Sequence, residues 1–326
     1  MMTPSFWHDP QSKMARVFAP LGMFYGYASR LWSQRQTLEK LDIPVICVGN
    51  LVSGGAGKTP VAMMIARELL ARGKKVHFLS RGYGGYLKGP VRVDHHSFQE
   101  VGDEPLILAK IAPVWVAKDR RAGGRAAVQA GADIIILDDG HQNFSLHKDF
   151  SLVVIDTDYK FGNGRLFPAG PLREPISRGL GRAQGLVLVG EGEIPVNVFL
   201  PFVRVRFDPC TRDLEALRSR TLIPFAGIGR PQKFFRMLET YAIIYGFKIL
   251  ESVAFPDHYA YSQKDMEKLR DKAKRAGAIL VTTEKDFMRL SLREGIYREG
   301  IYKVDLAPEI VEGSWDDLWK GTQFIR

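Results

Sequence analysis

Ile43-Pro-Val-Ile-Cys-Val-Gly-Asn-Leu-Val-Ser-Gly-Gly-Ala-Gly-Lys-Thr-Pro60 is the stretch that decides how the rest of the chain is read. Its first half, Ile43 to Val48, is short, apolar and β-branched, as a buried strand requires. The second half breaks into glycines and ends on Lys58 and Thr59. Gly54, Gly55 and Gly57 let the backbone curl so that N–H groups converge on an anion. Behind them Val61 to Gly73 has helical spacing, which adds the favourable end of a helix dipole. Strand, glycine loop and helix in this order make a phosphate-cradling P-loop, with Ser53, Gly54, Gly55, Ala56, Gly57, Lys58 and Thr59 around the phosphates. In it the Lys58 ammonium reaches the outer phosphates and the Thr59 hydroxyl serves Mg²⁺. The strict pattern asks for glycine six residues before the lysine; this chain has Val52 there, with Gly49 displaced upstream.

The 326 residues, 45% of them hydrophobic, suffice for a large core and suggest two domains. Two cysteines, Cys47 and Cys210, cannot build a disulfide framework, and Cys47 falls inside the expected P-loop strand. That usage fits a reducing compartment. The start of the chain lacks the features of a signal peptide. A net charge of +10 suits an anionic partner, nucleic acid or a lipid surface, and equally a merely soluble basic surface. No zinc finger, basic heptad or aromatic RNA-binding signature accompanies the charge, so nucleic acid is not expected as a partner.

The first forty residues interleave Phe6, Trp7, Met14, Phe18, Leu21, Phe24, Tyr25, Tyr27 and Trp32 with Lys13, Arg16, Arg30 and Arg35. The uncharged stretch from Val17 to Ser29 is 13 residues long, short of the ~20 needed to span a bilayer. Aromatic residues flanked by cations suit a helix lying in the membrane interface; a helix packed on the protein's own core has the same pattern.

From Ile43 to about Val189 apolar runs at 76–79, 113–117, 133–137, 152–155 and 186–189 alternate with helical patterns. One of these, Arg120 to Gln129, follows Asp119 as N-cap. This rhythm predicts an α/β fold, a P-loop NTPase-like, mainly parallel sheet with flanking helices, whose ligand site lies beyond the carboxyl ends of the strands. Gly190 to Pro209, with three prolines and an alternating FVRVRF run, reads as an extended linker. A second, smaller α/β domain follows: strand 222–226, helix 231–245, a strand near 248–253, helix 262–276 opened by a Ser262/Asp265 capping box, and strand 278–281. The expected division is thus 1–40, an aromatic and basic segment; 41–200, the nucleotide-binding domain; and 201–326, the smaller domain. The run Ile301 to Asp305 is a candidate for a strand returning to the linker.

Ile134 to Gly140 is an apolar strand ending in Asp138 and Asp139, the place of a Walker B acid near Mg²⁺. Phe161 to Pro175 (FGNGRLFPAGPLREP) is a fixed, glycine- and proline-rich loop ending in Arg173 and Glu174, a cation to neutralise phosphate and a carboxylate to assist the metal. Ser80 to Gly85 (SRGYGG) follows a strand and offers Arg81 beside turn N–H groups. Asp103, in GDEP, precedes a proline-started helix and in isolation reads as an N-cap. Asp257 and His258, in FPDHYAY, sit in a turn, and in isolation read as surface residues.

Taken together, GNLVSGGAGKTP, SRGYGG, GDEP, ILDDGHQ, FGNGRLFPAGPLREP, FAGIGRPQKFF, FPDHYAY and VTTEKD resemble the tetraacyldisaccharide 4'-kinase family, the lipid A 4'-kinases of Gram-negative bacteria. The motifs run in order from about residue 43 to 290. Two departures stand out: Asn143-Phe144-Ser145 where the family has a further histidine and basic residues, and Arg230 where it has asparagine. The resemblance implies transfer of the ATP γ-phosphoryl to the 4'-hydroxyl of a membrane-embedded, tetra-acylated glucosamine disaccharide 1-phosphate. It implies that the enzyme works at the cytoplasmic face of the inner membrane, as a peripheral protein and a monomer. Lys58, Arg173, Asp103 and His258 are then the catalytic set, with Asp103 and His258 a dyad acting on the sugar hydroxyl across two closing domains. Thr59, Asp138, Asp139 and Glu174 hold the Mg²⁺ environment, and Arg81, Tyr83 and Asn163 are substrate contacts. The competing reading is a regulatory or transport NTPase of the same architecture. A GTPase is disfavoured, because in VTTEKD Lys285 abuts Asp286 and leaves no room for a guanine-reading spacing.

Overall fold

A computed structural model of the chain describes residues 4–195, 199–290, 298–320 and 322; residues 1–3 and 323–326, at the ends of the expected domains, lie outside them. The polypeptide divides into two compact units, a larger one of Pro4–Arg206 together with the chain from Pro308 onward, and a smaller one of Phe207–Ala307.

The larger unit opens with a long helix, α1 (Lys13–Gln34). There follow β1 (Val45–Gly49), α2 (Lys58–Ala71), β2 (Val76–Ser80), β3 (Val91–Arg92), α3 (Phe98–Val101), α4 (Asp103–Leu108), β4 (Val114–Val116), α5 (Arg120–Gln129), β5 (Ile134–Asp138), β6 (Phe150–Asp156), α6 (Ile176–Leu180), β7 (Gly185–Val189) and β8 (Phe202–Pro209). The smaller unit continues with α7 (Thr211–Ala216), β9 (Thr221–Ala226), α8 (Pro231–Tyr245), β10 (Lys248–Ile249), β11 (Val253–Ala254), α9 (Gln263–Arg275), β12 (Ile279–Thr283), α10 (Glu284–Arg289) and β13 (Ile301–Val304). The chain returns through β14 (Leu306–Glu312) and ends in α11 (Trp315–Trp319).

In the larger sheet the strands lie in the order β14-β8-β7-β6-β1-β5-β2-β4-β3. β1 is buried along its whole length and pairs in parallel with β5 on one side and β6 on the other. The neighbouring β2–β5, β2–β4, β6–β7 and β7–β8 pairs are parallel too, whereas the short β3 runs antiparallel to β4. A strand covered on both faces reads as an unbroken apolar run rather than an alternation, which is why β1, β5 and β7 were legible as they stand. Val48 lies in register with Asp138, so the ends of β1 and β5 come out side by side. The phosphate loop and the acidic turn are therefore neighbours by construction.

The FVRVRF run is itself a strand, β8, laid in parallel on β7. The returning strand is β14, not Ile301–Val304: the latter pairs with β12 in the smaller sheet and buries Ile301 and Val304 in that unit's core. There β9 is central, flanked in parallel by β12 and by β10 and β11, two short pieces where one strand was expected.

α1 lies against the loop of residues 161–172. A Cβ at Gly22 would stand 2.9 Å from the Leu166 carbonyl oxygen, and one at Gly26 2.7 Å from Leu166 Cδ1, so both glycines serve close approach. Trp7 locks the same loop by donating its indole N–H to the Pro168 carbonyl at 3.0 Å. The opposite face of α1 is exposed and apolar: Val17, Leu21, Met23, Phe24, Tyr27 and Trp32 are each at least 54% exposed. The packing expected for this helix thus occupies one face and leaves the opposite, apolar face exposed.

The Ser262 capping box is present as expected, with Asp265 N–H donating to Ser262 Oγ at 3.2 Å and Ser262 N–H to Asp265 Oδ2 at 3.1 Å. Ser262→Ala is expected to destabilise the smaller unit by about 1 kcal/mol, read as faster hydrogen exchange of the α9 amides with the larger unit unchanged.

Candidate active site

The phosphate loop leaves β1 at Gly49, where a Cβ would stand 2.4 Å from the Cβ of His141. That contact, rather than phosphate, explains the upstream glycine. The chain then makes a detour. Val52 forms an antiparallel bridge with Leu172; Ser53 N–H donates to the Pro171 carbonyl at 2.7 Å and Arg173 N–H to the Leu51 carbonyl at 2.8 Å. Val52, almost wholly buried, stands where glycine is usual because the chain here makes an isolated bridge to Leu172 rather than a tight turn. The curl comes afterwards, with Gly54 at φ +116° and Gly57 at φ +86°, conformations that only glycine adopts at little cost. α2 starts directly at Lys58, earlier than the apolar pattern suggested, and Pro60 in its first turn needs no hydrogen-bond donor. A Cβ at Gly54 or Gly55 would meet nothing within 4 Å, so the loop faces open space on the side where phosphates would lie.

Two charged clusters stand beside it. In the first, Thr59 Oγ1 donates to Asp138 Oδ2 at 3.3 Å, Lys58 Nζ lies 3.7 Å from Asp139 Oδ2, and Arg173 Nη1 donates to Asp139 Oδ1 at 2.7 Å. Asp139 has φ +52°, which turns its side chain away from the strand and explains how adjacent aspartates face different partners. Burial alone would raise the Asp139 carboxyl, but the charges of Arg173 and Lys58 outweigh it and hold it well below the ordinary aspartate value.

In the second cluster Glu174, almost wholly buried, accepts on Oε1 from Arg182 Nη2 at 2.7 Å and from Gln142 Nε2 at 2.9 Å. Its Oε2 is buried with no hydrogen-bond partner among the described residues. Burial pushes this carboxyl up, while the Arg182 contact, with Gln142 after it, brings it below the usual glutamate value. Gln142 joins the clusters, since its Oε1 also accepts from Arg173 Nη1 at 3.3 Å and its Nε2 donates to the Asn50 carbonyl at 2.9 Å. Asn50 itself is fully buried at the end of β1 with neither side-chain polar atom hydrogen-bonded.

Sequence reasoning quoted Gln142 and Asn50 within longer motifs and assigned neither a role. The available signal was a polar residue directly after β1 for Asn50, and for Gln142 an amide on the turn that follows β5. It also missed Lys148, whose Nζ donates to the carbonyls of Gly140, His141 and Asn143 and so closes the acidic turn. The divergent Asn143-Phe144-Ser145 lies on that turn, with the Arg182 guanidinium 4.9 Å from the Phe144 ring centre and Arg178 and Lys148 each at 5.5 Å. The other divergent residue, Arg230, is the N-cap of α8.

Of the remaining expected residues, Asp103 is the buried first residue of α4, one position inside the helix rather than its N-cap. Its Oδ1 accepts from the Glu104 N–H at 3.0 Å. Gly102 before it has φ +88°, and a Cβ there would lie 2.3 Å from the Tyr83 carbonyl, so GDEP and SRGYGG are packed together. Arg81 and Tyr83 are exposed. Asn163 is committed to the fold: Nδ2 donates to the Phe6 and Ala169 carbonyls at 3.1 and 2.9 Å, and Oδ1 accepts from Arg165 N–H. This amide anchors the loop, so a substrate contact is carried forward for Arg81 and Tyr83 only. His258 is in the smaller unit, with φ +56° and its ring Nε2 3.9 Å from Asp257 Oδ1.

The donor set fits a triphosphate with Mg²⁺. Among the described residues no three His, Cys, Asp or Glu side chains gather as a metal site. Mg²⁺ in phosphoryl-transfer sites takes one or two carboxylates and completes its shell with phosphate and water. One acid hydrogen-bonded to the P-loop threonine, beside a lysine and open glycine backbone, meets that need.

Fold and site thus define a P-loop nucleotide-binding protein with acids and cations arranged for phosphate chemistry. Residues 14–319 match the family LpxK, tetraacyldisaccharide-1-P 4'-kinase, and the chain belongs to that family. It is 47% identical over 308 residues to the tetraacyldisaccharide 4'-kinase of Parvibaculum lavamentivorans, covering 89% of this chain and 87% of that protein. It is 42% identical over 326 residues to that of Nitrobacter winogradskyi, covering 97% and 94%. Among solved structures it is similar to LpxK from Aquifex aeolicus in complex with ATP, with TM-score 0.76 and 29% identity over 96% of this chain and 99% of that one.

His141 gives a pH test of this site. Its ring is buried, with Nε2 2.9 Å from the Gly179 carbonyl, and burial, reinforced by Arg182, lowers its pKa to about 4. Between about pH 6.5 and 4 the unfolded chain therefore binds more protons than the folded one, so this contribution is intact above pH 6.5 and is lost as pH falls. On going from pH 7 to pH 4.5 the wild type is expected to lose at least about 3 °C more in Tm than His141→Gln. Equal losses would show that His141 is not held neutral.

Proposed function

We propose that this chain transfers the γ-phosphoryl of ATP to the 4'-hydroxyl of the tetraacylated glucosamine disaccharide 1-phosphate from which lipid A is made. The observation that carries the reading is the joining of the P-loop, through the Val52–Leu172 bridge, to the segment bearing Arg173 and Glu174, within a chain of this family. The architecture alone would serve a hydrolysis-driven switch equally well; family membership favours the kinase.

In this reading the N–H groups of residues 53–57 and the Lys58 ammonium bind the ATP phosphates. Thr59 and Asp138 would hold Mg²⁺, with Asp139 and Glu174 completing its polar surroundings; the ion would supply neutralisation of phosphate charge. Arg173, oriented by Asp139, offsets charge developing on the phosphoryl group in transfer. Asp103, His258 or both serve the acceptor hydroxyl by taking or orienting its proton. Arg81 and Tyr83 contact the lipid sugar.

The site of action we assign is the cytoplasmic face of the inner membrane. No described helix is long and apolar enough to cross a bilayer. The support for surface attachment is the exposed apolar face of α1 with Lys13, Arg16, Arg30 and Arg35 on the same segment, a pattern suited to an anionic interface.

Incubation with Mg-ATP and the lipid disaccharide is expected to give a product one phosphate heavier by mass spectrometry. ATP turnover without phosphorylated lipid would overturn the kinase reading. Asp103→Ala and His258→Ala are each expected to lower kcat by about 10²-fold or more with ATP affinity unchanged; loss of ATP binding would show a misassigned role.

Val17→Ser, Phe24→Ser and Trp32→Ser combined should release the protein from phosphatidylglycerol vesicles while leaving its Tm within about 2 °C, because these side chains are exposed. Continued sedimentation with vesicles would refute the attachment assigned to α1.

A further inference from the structure

The VTTEKD motif takes no part in the site described above, yet it supplies one member of an ion pair buried in the smaller unit. Asp286 and Arg289, 0% and 1% exposed in their side chains, lie 3.0 Å apart. Removing two charges from water is costly, and such a pair is a poor device for stability alone. What this pair does is grip the backbone of one residue on both sides. The N–H of Gly227 donates to Asp286 Oδ1 at 2.9 Å, and the carbonyl of Gly227 accepts from Arg289 Nη1 at 2.6 Å.

That same carbonyl accepts the backbone N–H of His258 at 3.0 Å. His258 has φ +56°, a left-handed conformation uncommon outside glycine, and the bond to Gly227 helps to hold it there. The far end of the turn is tied to the same acid, because Tyr261 donates its hydroxyl to Asp286 Oδ1 at 2.7 Å. The turn is closed tightly over the glycine: a Cβ at Gly227 would lie 3.0 Å from the Pro256 carbonyl oxygen and 3.1 Å from both Tyr259 Cβ and Tyr261 Oη. Thr283 fixes the acid itself, its Oγ1 donating to Asp286 Oδ2 at 2.6 Å.

We propose that Asp286 and Arg289 are positioning residues for His258, acting through the Gly227 peptide, with Tyr261 as the second tie on the same turn. The proposal rests on the reading that His258 serves the transfer reaction, and its test separates the two. Asp286→Asn keeps the size of the side chain and removes its charge. It is expected to lower kcat by about tenfold with KM for Mg-ATP changed less than about twofold. In a His258→Ala background the same change is expected to have no further effect on kcat, since a residue acting through His258 cannot act without it. An equal loss in both backgrounds would overturn the proposal.

If His258→Ala alone leaves kcat unchanged, the reading of His258 has failed, and positioning is decided by a measurement independent of turnover. The rate at which diethyl pyrocarbonate modifies His258, followed by peptide mass spectrometry, is expected to change by about threefold or more in Asp286→Asn. An unchanged rate would overturn the proposal. Tyr261→Phe, which keeps the ring packing and removes one donor, carries the same cycle and the same modification assay should Asp286→Asn fail to fold, with a smaller effect expected in the same direction.

Discussion

Two backbone hydrogen bonds flanking the Val52–Leu172 bridge hold the phosphate loop and the segment 161–175 in one piece. Each contributes only about 1 kcal/mol net. Their geometric effect is larger than their energy. Once Leu172 is fixed against the loop, Arg173 has nowhere to go but toward Asp139, and Glu174 falls beside Gln142 and Arg182. The parallel register that sets Val48 beside Asp138 brings the acids from the other side. Strand register and bridge together thus gather five charged side chains, Lys58, Asp138, Asp139, Arg173 and Glu174, up to 116 positions apart in sequence (174 minus 58).

The charges so gathered are arranged to remain charged. A buried carboxylate without a partner would rise in pKa and take up a proton, and a protonated acid is useless for holding a cation. Here Asp139 is flanked by Lys58 and Arg173, and Glu174 by Arg182. Arg173 is held charged in return: burial would lower its guanidinium, but the charge and hydrogen bond of Asp139 raise it above the ordinary arginine value. Gln142 matters in this scheme because an amide can donate to one cluster and accept from the other without adding charge. It links Arg173 to Glu174 at no electrostatic cost to either.

Buried parallel strands advertise themselves, and so the central sheet and the acids at the end of β5 were legible in advance. Helix α8 was readable from Pro231 to Tyr245 because proline marks its start and Gly246, in the left-handed region, marks its end. What escaped were features set by long-range contact. Val52 looked like a defect in a motif because the residue it pairs with, Leu172, lies 120 positions on (172 minus 52). Ile301–Val304 looked like a linker strand because alternation says that a segment pairs and not with what. Asn163, an apparent polar contact for ligand in a glycine-rich loop, is spent on three backbone partners that only the folded loop brings within reach.

The N-terminal helix packs on its own protein, and that packing leaves the proposed interfacial role to its other face. An interfacial helix that merely tethers would need no packing of its own, whereas α1 presses Gly22 and Gly26 onto Leu166. Leu166 belongs to the loop that, six residues later, bridges to Val52. Trp7 and Asn163 fasten that loop from the same side. Removing α1 would therefore uncover Leu166 and Phe167 and slacken the segment that carries Arg173 and Glu174, so a loss of activity on truncation would not by itself speak for a membrane. Only substitutions confined to the outward face, at Val17, Phe24 and Trp32, separate attachment from support. The same logic applies to the phosphate loop, whose stiffness comes from the neighbour it is bridged to more than from its own glycines.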